Sequence, residues 1–299
     1  GIEEARQGPV VGGERDDAVW EPLGPATLAT TSYNPGNGRV NVVAVDPQDP
    51  NALYVGTPSS GIWRSPDHGA SWAPLFTDLP SMGVSGIAID TTGTGIIYIA
   101  TGDGDAGDTY SAGVLKSTDD GQTWNSTGLN WSISQSRTTR TLRMDPTNPL
   151  RLYCSSSNGL YRTLDGAVTW LQVSPGDHRD VELKPGDPSQ LYACTDRFYR
   201  SMSGGEAFTA SGITGLPSAD SVGRMAIAVC EAAPEVVYVL CSNQEDNSFL
   251  GLWRSDDAGL TFTLRSSSPN IFSYSEDGSG SGGQAWYDMA LAVDATNPD

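Results

Sequence analysis

Apolar positions along this chain come in short runs, alternating with polar ones or briefly unbroken, and each run is closed by Gly, Pro, Asn or Asp. A period of two over such short lengths predicts strands rather than helices. RVNVVAVDP (39–47), NALYVGT (51–57), GIWRS (61–65) and SWAPL (71–75) make a first set of four strands, with turns at Asp-Pro and Gly. The order then returns as VSGIAID, IIYIAT, GVLKS and TWNST, as TLRMDP, RLYCSS, GLYRT and TWLQV, as VELKP, QLYAC, RFYRS and AFTAS, and as MAIAVC, VVYVLC, GLWRS and TFTLR. A sixth set opens with WYDMALAVDATNPD (286–299). No long helix is predicted.

Between the third and fourth strand of every set stands a version of one eight-residue box: SPDHGASW (65–72), STDDGQTW (117–124), TLDGAVTW (163–170), SMSGGEAF (201–208) and SDDAGLTF (255–262). Their starts lie 52, 46, 38 and 54 residues apart, the spacing of four-stranded propeller blades. The fold class is therefore all-β: an Asp-box β-propeller occupying 20–299, after an N-terminal extension at 1–19. Its blades fall near 39–76, 84–128, 138–174, 179–211 and 224–266, with a partial sixth at 286–299. Trp20-Glu21-Pro22-Leu23 matches Trp72-Ala73-Pro74-Leu75, which predicts that 20–23 is an outer strand closing the ring. Five complete blades and the start of a sixth imply a fragment of a longer repeat array.

The box has a structural rationale. A short carboxylate at Asp67, Asp119, Asp165 or Asp257 can accept the turn's own N–H groups, while the following Gly supplies a positive φ. The aromatic that ends each box, Trp72, Trp124, Trp170, Phe208 or Phe262, is expected to fill the space between sheets. In the fourth copy, Ser203 stands where the others have Asp.

Charge narrows the partners. With 17 Lys and Arg against 36 Asp and Glu, the net charge of −19 repels phosphate backbones and anionic membrane surfaces, so nucleic acid and membrane insertion are excluded. No run reaches a membrane span's length, and no signal-peptide pattern opens the chain. Cys154, Cys194, Cys230 and Cys241 sit in strands that read as buried thiols, with a Cys230–Cys241 bridge left open. Two histidines, His68 and His178, and no Cys-x-x-Cys argue against zinc. No organic cofactor is expected.

The boxes lie on one face of the propeller, so the loops that vary in length, 102–113 and 242–251 among them, lie on the other. Asp103, Asp105 and Asp108, spaced by glycines, offer oxygen ligands for calcium; the alternative is an acidic loop whose carboxylates cap their own turn. Arg39, Arg140, Arg179 and Arg224 precede the innermost strands and are expected to ring the mouth of the channel. There they either hold an anionic ligand by bidentate bonds or pair with local acids. Trp131, Trp286 and Tyr287 are candidates for stacking on a glycan or anchoring a protein partner, or else plug gaps between blades. Tyr110, Phe249, Phe272 and Tyr274 lie in or beside the same loops.

The box resembles the BNR or Asp-box repeat of sialidases, sortilin-type receptors, xyloglucanase-type glycoside hydrolases and photosystem II assembly factors. The resemblance covers nearly all of 20–299 and implies a propeller, but does not by itself imply an activity. Segments such as GRVNVVAVDPQDPNALYVGTPSSGIWRSPDHGASW look like secreted surface proteins of Bacteroidetes-type bacteria exported by type IX secretion, which implies an extracellular or cell-surface location. A sialidase-like site would require an Arg-Ile-Pro motif, which the chain lacks. Xyloglucanase-like enzymes place two carboxylates across a cleft between two propellers, and Thr57-Pro58-Ser59-Ser60-Gly61 has no acid where that family carries one. The sequence thus reads as a binding or assembly module for glycan or protein ligands on the face opposite the boxes, able to assemble with other parts of a larger polypeptide. The alternatives are a glycoside hydrolase completed by sequence outside the chain and a sortilin-like peptide receptor.

Overall fold

The computed structural model describes residues 39–76 and 78–298; the closing strand expected at 20–23 lies outside the described residues. The chain builds a first antiparallel sheet from β1 (Val42–Val45), β2 (Leu53–Gly56), β3 (Ile62–Ser65) and β4 (Ala73–Phe76). A second contains β5 (Val84–Ile89), β6 (Ile97–Thr101), β7 (Gly113–Ser117) and β8 (Asn125–Asn130). The third is β9 (Thr139–Asp145), β10 (Asn148–Ser156), β11 (Gly159–Thr163) and β12 (Leu171–Pro175). Three strands, β13 (Asp180–Leu183), β14 (Leu191–Cys194) and β15 (Phe198–Ser201), make the fourth. The fifth comprises β16 (Val222–Cys230), β17 (Ala233–Asn243), β18 (Phe249–Ser255) and β19 (Thr263–Ser266). Each sheet pairs its strands in sequence order, so each is one up-and-down blade.

First strands of successive blades neighbour one another: β1 beside β5, β5 beside β9, β9 beside β13 and β13 beside β16. They line a central channel, and the apolar side chains of each blade face the next. One cluster joins Tyr54 and Ile62 of the first blade to Ile87 and Ile99 of the second; another joins Tyr98 to Leu142 and Leu152 of the third. Tyr153 meets Val181 and Leu191, and Tyr192 meets Ile227 and Val239, in the two clusters that follow. Burial between sheets, roughly 25 cal/mol per Å² of apolar surface, is what holds blades together, because strand hydrogen bonds act only within a blade. All four cysteines are free and buried in these layers, so no Cys230–Cys241 bridge forms.

The box turn takes the same form in four blades. Ser65 Oγ donates to Asp67 at 2.8 Å and accepts from Gly69 N at 2.7 Å, while Asp67 accepts from Ser71 N at 2.8 Å and Ser71 Oγ at 2.6 Å. Asp119, Asp165 and Asp257 repeat the pattern with Thr123, Thr169 and Thr261. The fifth box residue has positive φ, and from the second blade on it approaches the preceding blade: a Cβ on Gly205 would sit 2.4 Å from Tyr153 Cε1. The third box places Ala167 there at φ 73°.

Two expected strands do not form. AFTAS (207–211) was to be the fourth strand of the fourth blade, yet only an isolated bridge joins Arg200 to Thr209. Ser203 accepts Ala207 N at 3.1 Å, but it has one oxygen where Asp has two, and Ala207 has no hydroxyl for a second bond. The turn that should start the strand is half-tied. Residues 286–298 are not a strand either; they lie along the fifth blade through Ala232 N to Ala295 O at 3.0 Å, Tyr238 Oη to Pro298 O at 2.8 Å, and packing of Met289 and Leu291 near Leu240. No strand pairs with them among the described residues, so their backbone gains no ladder.

The box aromatics also divide. Phe262 is buried, and Trp124, Trp170 and Phe208 pack on the clusters they share with the preceding blade. Trp72 is 41% exposed, since among the described residues no blade precedes the first. For the same reason Val43 and Val45 of β1 are exposed.

Candidate functional site at the channel mouth

The acidic loop and the arginines on the face opposite the boxes are each other's partners. The loop joins β6 to β7 over the channel. Asp103, fully buried, accepts from Arg39 Nη2 at 2.6 Å and from Asn41 Nδ2 at 3.2 Å, both in the first blade. It also takes the N–H groups of Asp105, Ala106 and Asp108 at 3.2, 3.2 and 2.9 Å. Burial pushes its pKa up, but the backbone donors and Arg39 outweigh that and hold it below the usual carboxylate range.

Asp105 pairs with Arg224 of the fifth blade, 119 residues away, and Arg140 of the third blade donates to Gly104 O. Asp108 lies 3.3 Å from Arg39 Nη2. Gly104 packs so tightly on β9 that a Cβ there would lie 2.4 Å from Thr139 O. One loop of the second blade is thus gripped by guanidinium groups from the first, third and fifth.

The fourth member of the arginine set completes the ring. Arg179 Nη2 reaches Asp177 at 3.0 Å, and Arg140 holds the same carboxylate through Nε at 3.0 Å and Nη2 at 3.2 Å. Burial, and the charge of Arg179 close by, bring Arg140 down to about 10, so it stays a cation at neutral pH. Each of the four arginines thus has an acid partner within the fold. Among the described residues no three Asp, Glu, His or Cys side chains gather around a point that could hold a metal ion.

Beneath the loop lies a cavity of about 200 Å³. Its wall includes two carboxylates one strand-repeat apart on β13, Asp180 and Glu182, and these the sequence reading missed as site residues. Glu182 is clamped by Arg143 of the neighbouring blade through two bonds of 2.5 and 2.9 Å. Asp180 accepts from Val181 N and Ile227 N, each at 2.9 Å. Burial first, then the charge of Glu182, raises Asp180 to about 7, with Arg143 pulling the other way. The available signal was DVEL itself, an alternating pair of acids in an innermost strand that otherwise reads as apolar.

The aromatics occupy separate places. Trp131 packs edge to face on Tyr161 at 5.8 Å, with Arg137 over its ring at 5.2 Å, and rests on the core between the second and third blades. Trp286 is 47% exposed and packs against Tyr287 at 4.2 Å, while Arg224 Nη1 donates to Trp286 O at 3.1 Å. Tyr287 Oη donates to Gln284. Trp286 is therefore brought to the rim of the arginine ring, whereas Trp131 is not. Phe249 and Phe272 are buried against each other at 6.1 Å, leaving Tyr110 and Tyr274 exposed.

No protein-family model matches the chain. Among curated proteins it is similar to a xyloglucanase of a Paenibacillus species, 26% identical over 254 residues, which is 81% of this chain and 22% of that enzyme. The GH74 xyloglucanase of Xanthomonas campestris superposes with a TM-score of 0.64 at 21% identity, over 88% of this chain and 41% of the other. YCF48 bound to a D1 peptide gives 0.53 at 18% identity, over 79% and 70%. The extracellular domain of a putative one-component system from B. thetaiotaomicron gives 0.54 at 14%, over 78% and 28%. Together with the five sheets described above, these likenesses identify the fold as a β-propeller, and the chain spans about a fifth of the length of the Paenibacillus relative.

Proposed function

We propose that this chain is the propeller part of an extracellular, xyloglucanase-like protein, and that it binds a β-glucan on the face opposite the boxes. Hydrolysis in this reading is completed by sequence outside the chain. The observation that supports it is the 254-residue match to the Paenibacillus xyloglucanase, which runs through most of the propeller rather than through one motif. The site chemistry is consistent with a binding role for this part alone. Glycoside hydrolysis needs two carboxylates facing the substrate, about 5–10 Å apart. Here Glu182 is neutralised by Arg143, and Asp180 sits under the loop with a backbone donor on each oxygen.

Affinity electrophoresis through gels containing xyloglucan, mixed-linkage glucan or mannan tests the binding, and a reducing-sugar assay tests the division of labour. Retardation by xyloglucan without sugar release is the expected result. Equal mobility in all three gels would overturn the binding role, and sugar release by the chain alone would overturn the claim that its site is incomplete.

A further inference from the structure

The missing fourth strand of the fourth blade uncovers one aromatic side chain. In the other blades the equivalent third-strand position, Trp63, Leu115, Tyr161 or Trp253, has a fourth-strand neighbour in Pro74, Ser126, Gln172 or Leu264. Tyr199 holds that position in β15, but only Arg200 beside it reaches an outer residue, Thr209, through an isolated bridge. Tyr199 therefore has no cross-strand neighbour on its outer side. Its ring packs on the ring of buried His178 at 6.0 Å, and Nε2 of His178 is hydrogen-bonded in turn to Ser174 Oγ at 2.9 Å. The Tyr199 hydroxyl, unlike that of Tyr192, is not buried, and it has no hydrogen-bond partner among the described residues.

The loop beside it is short. Residues 195–197 alone join β14 to β15, closed by Thr195 N on Arg197 O at 2.9 Å, where 102–112 join β6 to β7. Over this turn, on the face opposite the boxes, lies an open hollow of about 390 Å³. Tyr199, Thr195 and Asp196 line it, between Asp177 and Arg179 on one side and Gln244 of the fifth blade on the other. Its size falls within the ~300–1,000 Å³ of small-molecule sites, and its openness lets a chain pass across it. Asp177 and Arg179 hold each other at 3.0 Å, yet 40% of the Asp177 side chain stays exposed, so it has acceptor capacity left. Gln244 is exposed and its amide makes no hydrogen bond among the described residues. Two carboxylates against one guanidinium leave the hollow slightly acidic, which disfavours an anionic ligand.

We propose that this hollow is a saccharide subsite, in which one pyranose residue of a glucan chain lies against Tyr199 and exchanges hydrogen bonds with Asp177, Arg179 and Gln244. A sugar ring offers what the hollow lacks: C–H faces for an uncovered aromatic, and hydroxyl groups that both donate and accept. His178 behind the tyrosine and the ion pair beside it set these groups in place before binding, which lowers the ordering cost. The choice of a glucan rests on the reading given under the proposed function.

The test uses the whole chain as wild type, Y199A and Q244A, with dissociation constants taken from affinity electrophoresis over a series of xyloglucan concentrations. Y199A is expected to bind about tenfold more weakly than wild type and Q244A about threefold more weakly. Gln244 is exposed, so Q244A keeps the test valid if Y199A fails to fold. Retention of both variants equal to that of wild type would overturn the subsite and leave the glucan reading standing. If xyloglucan retards none of the three, the glucan reading falls, and saturation-transfer NMR with free glucose and free galactose reads the hollow by itself. Signals from wild type that both variants lose would uphold a saccharide site there; signals equal in all three proteins, or absent from wild type, would overturn it.

Discussion

The two faces of this propeller use the same side chain in opposite ways. On the box face, Asp67, Asp119, Asp165 and Asp257 each bond to groups two to four residues away, and the turn is complete within eight residues. On the channel face, Asp103 and Asp105 bond to arginines 64 and 119 residues away, and the loop is complete only when three other blades are in place. A local motif can be copied from blade to blade with its function intact. The long-range one occurs once and gives the molecule a single distinguishable end.

The largest effect that separates the faces should come from Asp103. Replacing it with Ala leaves Arg39 and three backbone N–H groups without their acceptor, and breaking a buried pair in this way costs about 3 kcal/mol. Urea denaturation should show that loss for D103A and a clearly smaller one for D67A, whose carboxylate is exposed to water. Equal losses would erase the contrast.

Opposite pH responses should follow. Asp180 is raised to about 7 in the folded protein, so its protonated form favours folding; that contribution is complete below pH ~4 and is lost as pH rises toward 7. Asp165 and Asp257 are lowered to about 2 by their turn bonds, so their contribution is present above pH ~4 and is lost as pH falls toward 2. Thermal melts of wild type and D180N across pH 4 to 8 should differ in slope, with D180N the flatter. Parallel curves would show that Asp180 titrates normally.

A smaller effect would sharpen the account of the fourth blade. The double substitution S203D/A207T restores both oxygens of the box and its hydroxyl partner, and it should raise stability by about 1 kcal/mol. New protection of amides at 207–211 is the structural counterpart to look for. No change in either would mean that the box is not what limits the missing strand.

Least of all should be lost in Y153F. Tyr153 Oη donates to Gly204 O at 2.8 Å, but Arg162 also donates to that carbonyl at 3.0 Å, so removing the hydroxyl should cost about 0.5 kcal/mol. A loss of several times that size in chemical denaturation would show that the tyrosine layer, and not only apolar burial, joins the blades.

The same contrast explains what the sequence disclosed. Box turns are written in adjacent letters, so the four aspartates, their serines and the strand order around them were legible. Asp103, Asp105 and Asp108 were legible as unusual, and so were Arg39, Arg140, Arg179 and Arg224, but nothing in one sequence says that two sets so far apart meet. Each set therefore left two readings open, an external partner or an internal one, and the fold shows that the two sets partner each other. Asp180 and Glu182 were not legible as residues of the cavity wall, because a buried acid differs from an exposed one only in its surroundings. The fourth strand of the fourth blade failed for the reverse reason: TAS reads as strand, and the defect lies in the turn before it.

One loop of the second blade is tied across the channel to the fifth by the Asp105–Arg224 pair. A double-mutant cycle on D105N and R224Q, scored by urea denaturation, measures that tie directly. A coupling of about 1–3 kcal/mol between the two positions is expected. Additivity within about 0.3 kcal/mol would contradict it.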